Sequence, residues 1–116
     1  MTRRILLVED EADLRDLFRM ILSRLGYDVR VCATAREALD GPMDLDLAVL
    51  DLALPGTSGT ELAVAIRERI PAIPLLLTSG SPANFELPAN TVFLQKPYSA
   101  GRLAETVKQL LDRQLS

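Results

Sequence analysis

Histidine and tryptophan are absent from the 116 residues, and cysteine occurs once, at Cys32. Without histidine there is no imidazole general base, no histidine metal ligand and no Ser-His-Asp triad. A lone cysteine excludes an internal disulfide framework and a cysteine-only zinc site. No run of basic residues offsets the net charge of −3, so nothing here is built to neutralise a nucleic-acid backbone. Apolar runs are short. None approaches a membrane span, and the segment after Met1-Thr2-Arg3-Arg4 is too brief for a signal-peptide core. The expected compartment is the cytoplasm. What remains, 48% hydrophobic and 25% charged residues, is the composition of an ordinary globular domain, and the length suits one domain over 1–116.

Short apolar runs alternate with longer amphipathic ones. Ile5-Leu6-Leu7-Val8, Tyr27 to Cys32, Leu47-Ala48-Val49-Leu50, Ile73 to Leu77 and Thr91 to Gln95 read as five strands. Residues 11–25 follow helical spacing, with Leu14, Leu17, Phe18, Ile21 and Leu25 on one face and Arg15, Arg19, Ser23 and Arg24 on the other. Gly26 stops that helix. Ala35 to Leu39, Glu61 to Arg69 and Ser99 to Arg113 read as further helices, the last burying Leu103, Val107, Leu110 and Leu111. Between Pro82 and Pro88 a regular helix has little room. Unbroken apolar strands separated by helices predict an α/β doubly wound, five-stranded parallel sheet. Such sheets bind their ligands beyond the carboxyl ends of the strands.

Those ends carry Glu9 and Asp10, then Asp51, then Thr78 and Ser79, then Lys96. Parallel strands bring them to one rim, where three acids repel one another unless positive charge joins them. Lys96 supplies one charge, and a hard cation such as Mg²⁺ would supply the rest. Each residue also has a plainer explanation. Asp10 can cap the first helix, Asp51 can open a turn, Thr78-Ser79-Gly80 is an ordinary strand exit, and Lys96 before a proline suits a solvated loop. Phe93 and Cys32 suit the core. Asp44 and Asp46 precede the third strand, at the wrong end of the sheet, and read as solvated loop acids. The joint pattern outweighs the separate alternatives, because the four needed groups stand at strand ends in order.

The stretches Ile5-Leu6-Leu7-Val8-Glu9-Asp10, Leu47 to Gly56 with Gly59 beyond it, Pro74 to Gly80, and Phe93-Leu94-Gln95-Lys96-Pro97-Tyr98 together resemble the receiver domain of two-component response regulators. The resemblance covers essentially the whole chain. It implies a flavodoxin-like sheet of order 2-1-3-4-5 and an aspartyl-phosphate chemistry in which Asp51 accepts a phosphoryl group. The donor would be a phosphohistidine on a histidine kinase or a histidine phosphotransfer protein. Glu9, Asp10, Asp51 and the Ala53 carbonyl would hold Mg²⁺, while Lys96 and Thr78 would bind phosphoryl oxygens. Thr78 and Phe93 would form the switch, and Leu14, Pro97 and Tyr98 would dock the partner. No nucleic acid, membrane or small-molecule turnover is implied, and the downstream protein target is unspecified.

The same resemblance makes Lys96-Pro97 a candidate cis bond. This chain departs from the family at Glu9, where Asp is commoner, and at Ser79, where a smaller alanine is common. Ala53 and Gly80 offer no side chain to orient an attacking water, so fast self-dephosphorylation is not expected. The family's fourth helix is expected to be short or irregular here, across residues 81–90. Because the chain stops shortly after its last helix, it is expected to be a stand-alone receiver or one excised from a hybrid kinase. Three rivals are weaker. A nucleotide or flavin binder needs a phosphate loop where Glu9-Asp10-Glu11 stands. A Mg²⁺-dependent phosphatase needs a second catalytic acid and a cap. An interaction-only receiver leaves Asp10, Asp51, Thr78 and Lys96 without a purpose.

Overall fold

The computed structural model describes residues 2–82 and 86–115. Strands and helices alternate as β1 (Arg4–Val8), α1 (Ala12–Arg24), β2 (Asp28–Cys32), α2 (Ala35–Asp40), β3 (Leu47–Asp51), α3 (Gly59–Arg69), β4 (Leu75–Ser79), β5 (Thr91–Gln95) and α4 (Ala100–Leu115). Every pairing is parallel, as the alternation predicts, and the sheet order is β2-β1-β3-β4-β5, the one the family resemblance implies.

The central strands are apolar on both faces because helices cover both. Leu6, Val8, Ala48, Leu50, Leu75 and Leu77 pack with Ala38 of α2 and with Leu62 and Ile66 of α3. Their neighbours Ile5, Leu7, Leu47, Val49 and Leu76 pack on the other side with Phe18 and Leu22 of α1 and with Leu103, Val107 and Leu110 of α4. This is the period-2 alternation of a strand, and it fixes which way each strand-end residue faces.

Three local features differ from the sequence expectation. On α1 the buried stripe is centred on Phe18 and includes Leu22, whereas Leu17 is 39% and Leu25 54% exposed. Leu17 lies about 100° round the helix from Phe18, and Leu25 falls beyond the last helical residue, where helical spacing no longer applies. Strand β4 begins after Pro74 and runs on through Ser79, because proline brings no amide to the ladder. Asp44 and Asp46 are not merely solvated: Asp44 pairs with Arg4, and Asp46 accepts the Arg4 amide at 2.7 Å, tying the loop to the start of β1.

Helix starts are capped by short polar side chains. Thr34 accepts from the Glu37 amide at 3.2 Å and Ser58 from the Glu61 amide at 3.2 Å. Gly59 opens α3 where a Cβ would run into the Asp51 carbonyl oxygen and the Leu52 Cα, so only glycine lets α3 lie this close to the end of β3.

From β4 to β5 the chain forms no helical turn among the described residues, in keeping with a short or irregular fourth helix. The centre of the expected irregular stretch, residues 83–85, lies outside the described residues. Arg67 of α3 closes this crossover at its base. Its guanidinium donates to the Ile73 carbonyl at 2.9 Å, the Asn90 carbonyl at 3.1 Å and the Thr91 hydroxyl at 3.2 Å. Asn90 sits at φ 60°, a left-handed conformation that asparagine tolerates.

The fork pins the start of β5, and therefore the register that delivers Lys96 to the rim. Arg67→Ala should cost about 2 kcal/mol, the scale of a charged donor lost from several carbonyls. Arg67→Lys should recover little of it, since one ammonium cannot reproduce the fork. Chemical denaturation of the three proteins checks this, and equal midpoints would contradict it.

Candidate functional site

Period-2 alternation holds through the ends of β3 and β4 and carries one residue past the end of β1. Asp51 follows Leu50, Thr78 follows Leu77 and Glu9 follows Val8, so all three turn toward the α1–α4 side of the sheet. Asp51 and Thr78 are register partners on β3 and β4. Glu9, Asp51 and Thr78 are each only 2% exposed. Three buried polar side chains on one rim are a costly arrangement unless they find partners.

Lys96 is that partner. Its ammonium lies 2.9 Å from Glu9 Oε1 and 3.0 Å from Asp51 Oδ2. The Lys96 amide also donates to the Ser79 carbonyl at 2.7 Å, extending the β4–β5 pairing past the last strand residue. The Lys96-Pro97 bond is cis. Asp51 Oδ1 accepts the Ala53 amide at 2.9 Å, and Glu9 Oε2 accepts the Glu11 amide at 3.3 Å.

Asp10 is exposed beside them, and carboxylate oxygens of Glu9, Asp10 and Asp51 lie within 4.8 Å of one another. Two like charges about 4 Å apart repel by roughly 4 kcal/mol at an effective dielectric of 20. One lysine offsets part of three such charges, and an oxygen-seeking divalent cation suits the remainder. The donor set fits Mg²⁺, and helix capping does not account for it. The residue before α1 is Glu11, and its side chain makes no capping bond.

Titration follows this crowding. Burial, reinforced by the neighbouring Asp51, raises Glu9 to about 7 although Lys96 and the Glu11 amide pull the other way. Burial also pushes Asp51 up, but the Ala53 amide, a hydrogen bond from Glu9 and Lys96 together hold it below its ordinary value. Lys96 loses some affinity for its proton to burial and regains more from the two carboxylates, ending above the usual lysine value. The rim therefore favours the ionised form of Asp51 and strengthens the hold of Glu9 on its proton.

Two residues near the site carry roles that sequence spacing did not reveal. Arg15, placed on the polar face of α1, turns back and donates to the Glu9 carbonyl at 2.9 Å and to the Asp10 carbonyl at 3.5 Å. It thereby clamps the loop that bears both acids. Tyr98, expected only as a docking residue, stacks on Phe18 with ring centroids 5.6 Å apart. Neither signal exists in spacing alone, since both depend on how loops fold back. Of the other expected residues, Leu14 is half-buried, Pro97 exposed, and Phe93 half-buried against the α2–α3 cluster.

The five-stranded parallel sheet of this order defines a flavodoxin-like class, and comparison with known proteins narrows it. The chain belongs to the response regulator receiver domain family, whose model matches residues 5–108. It is 32% identical over 120 residues to the regulatory protein VanR of Enterococcus faecium, covering 97% of this chain and 52% of VanR. It is 37% identical over 117 residues to the transcriptional regulatory protein ResD of Bacillus subtilis, covering 95% and 48%. The chain thus spans about half the length of these curated relatives. A CheY-like receiver domain protein from Methanospirillum hungatei superposes with a TM-score of 0.90 at 31% identity, over 98% of this chain and 97% of that one. Receiver domains are signalling modules. Among the described residues, no helix is long and apolar enough to cross a membrane.

The raised Glu9 gives a pH signature for the metal-free protein. Between about pH 4.5 and 7 the folded state keeps a proton that the unfolded chain releases, so stability falls as pH rises through that window. Melting in chelator should decline by roughly 5 °C across it, and Glu9→Gln should flatten the decline. An equal slope in the variant would contradict the assignment.

Proposed function

We propose that residues 1–116 act as one phosphoacceptor receiver domain in the cytoplasm, with Asp51 as the acceptor. The observation that carries this reading is the Lys96 ammonium bridging Glu9 and Asp51 at 2.9 and 3.0 Å on a rim that also holds Asp10. In the transfer, an Asp51 oxygen attacks phosphorus in line and a P–O bond forms. The P–N bond to the donor imidazole breaks with its electron pair leaving on nitrogen. The chain has no histidine, so a histidine kinase or histidine phosphotransfer protein supplies that imidazole.

Each residue has a task before and after transfer. The Ala53 amide and Lys96 keep Asp51 ionised and pointed at the rim. Lys96 then pairs with a phosphoryl oxygen, and Thr78 offers its hydroxyl to another. Glu9, Asp10, Asp51 and the Ala53 carbonyl would hold Mg²⁺, which neutralises charge on the carboxylates and the phosphoryl oxygens. The longer Glu9 arm suits this set, because its two oxygens already reach Lys96 and the Glu11 amide separately. Thr78 and Phe93 form the switch that reports phosphorylation to a downstream protein. The donor docks across α1 and the loop after Lys96. Leu14, Pro97 and Tyr98 lie there, and exposed Leu17 and Met20 extend the same helix.

Incubation with Mg²⁺ and acetyl phosphate should add one phosphoryl group by intact mass, and Asp51→Ala should add none. Lys96→Ala should react roughly 10²-fold more slowly, the usual loss on removing one preorganised charge from a transfer site. An unmodified wild type, repeated with phosphorylated histidine kinases, would instead support an interaction-only receiver.

A further inference from the structure

Two of the three rim acids stand on the loop between β1 and α1, where regular structure runs out. Glu9 and Asp10 follow the last register pair of β1, Val8 with Cys32. They precede the first helical hydrogen bond of α1, from the Arg15 amide to the Glu11 carbonyl at 2.9 Å. The Glu9 amide still reaches the Cys32 carbonyl at 3.1 Å, but neither sheet nor helix supplies a donor for the Glu9 and Asp10 carbonyls, which need one. Arg15 supplies it. A single guanidinium nitrogen, Nη1, lies 2.9 Å from the Glu9 carbonyl oxygen and 3.5 Å from that of Asp10.

A cation is out of place in the first turn of a helix, where the macrodipole favours negative charge. Asp13, in the same turn, conforms to that preference. Arg15 is half-buried, whereas Arg19, one turn further on, is exposed. Although the guanidinium reaches the Asp10 carbonyl, among the described residues the Asp10 carboxylate takes no hydrogen bond or ion pair. Arg15 thus holds the backbone that carries the acids and leaves the exposed carboxylate open.

We propose that Arg15 is a positioning residue for a divalent cation, fixing the Glu9–Asp10 backbone so that both carboxylates stay grouped with Asp51. The inference rests on the reading that Glu9, Asp10 and Asp51 hold Mg²⁺. Carboxylates that become ordered only when the cation arrives bind it less well, because ordering them costs entropy. Groups that orient metal ligands from behind accordingly carry much of a site's affinity. The placement of Arg15 makes the sign of the effect decisive. Acting through charge alone, a cation beside a cation site weakens binding, and removing it tightens binding. Acting through the loop, it strengthens binding, and removing it weakens binding.

Amide NMR titration with Mg²⁺ alone, at fixed pH and ionic strength, compares the wild type with Arg15→Met, Arg15→Lys and Arg19→Ala. Arg15→Met keeps the aliphatic stem but loses charge and donors, and it should raise the Mg²⁺ dissociation constant roughly tenfold or more. Arg15→Lys retains one nitrogen donor and should recover part of that loss. Arg19→Ala removes an equal charge from the next turn and should stay within about twofold of the wild type, since solvent screens an exposed charge.

Unchanged or tighter Mg²⁺ binding in Arg15→Met would overturn the proposal, and so would an equal loss in Arg19→Ala. Thermal melts in chelator establish that each variant is folded, which separates lost affinity from lost structure. A wild type that binds no Mg²⁺ would refute the metal site itself and this inference with it. That outcome is distinct, because all four proteins would then be silent.

Discussion

One ammonium group between two buried carboxylates governs the rim of this protein. Glu9 and Asp51 come from different strands, and each is nearly fully removed from water. Left alone, they would repel by several kcal/mol, and burial would add to the cost. Lys96 resolves this only because β5 is held in register beside β4, and β5 is held in part by Arg67 at the opposite end. The chemistry at the carboxyl ends of the strands thus depends on hydrogen bonds at their amino ends. Arg15 does the corresponding work for the β1–α1 loop.

The compensation is incomplete, and the incompleteness is useful. Three acids face one lysine, so the rim still favours positive charge and raises the proton affinity of Glu9. Under the proposed function a divalent cation would answer both, and an arriving phosphoryl group would give Lys96 a new partner without leaving Asp51 unpaired. Thr78 is in a similar position. It is buried in register with Asp51, and under the proposed function its one proton would be drawn to an oxygen on Asp51. A site whose partners are all satisfied yet exchangeable can report a change of charge, because each new contact must break an old one.

Much of this was legible in the sequence, for identifiable reasons. Unbroken runs such as Leu47-Ala48-Val49-Leu50 mark strands covered on both faces, and they gave β3 and β5 within a residue. Acids and a lysine at strand ends marked Asp51, Glu9, Asp10 and Lys96, because parallel strands deliver their ends to one edge. The stripe on α1 was less legible. Leu17 and Leu22 are both leucines, and only the direction from which β1 and α4 approach decides which is buried. Arg15 and Tyr98 were not legible in their observed contacts, since a long side chain folding back and a stack across two elements leave no spacing to read. Arg67 was hidden likewise: it sits in the last turn of α3, and its partners lie as far as Thr91.

The most direct test is a crystal structure of the protein with Mg²⁺ and beryllofluoride. The account expects beryllium bonded to an Asp51 oxygen and the cation among Glu9, Asp10 and Asp51. Lys96 should have left Glu9 for a fluorine, and the Thr78 hydroxyl should donate to another. A structure with the ligand elsewhere, or with Lys96 still bridging Glu9 and Asp51 over an unmodified carboxylate, would contradict it.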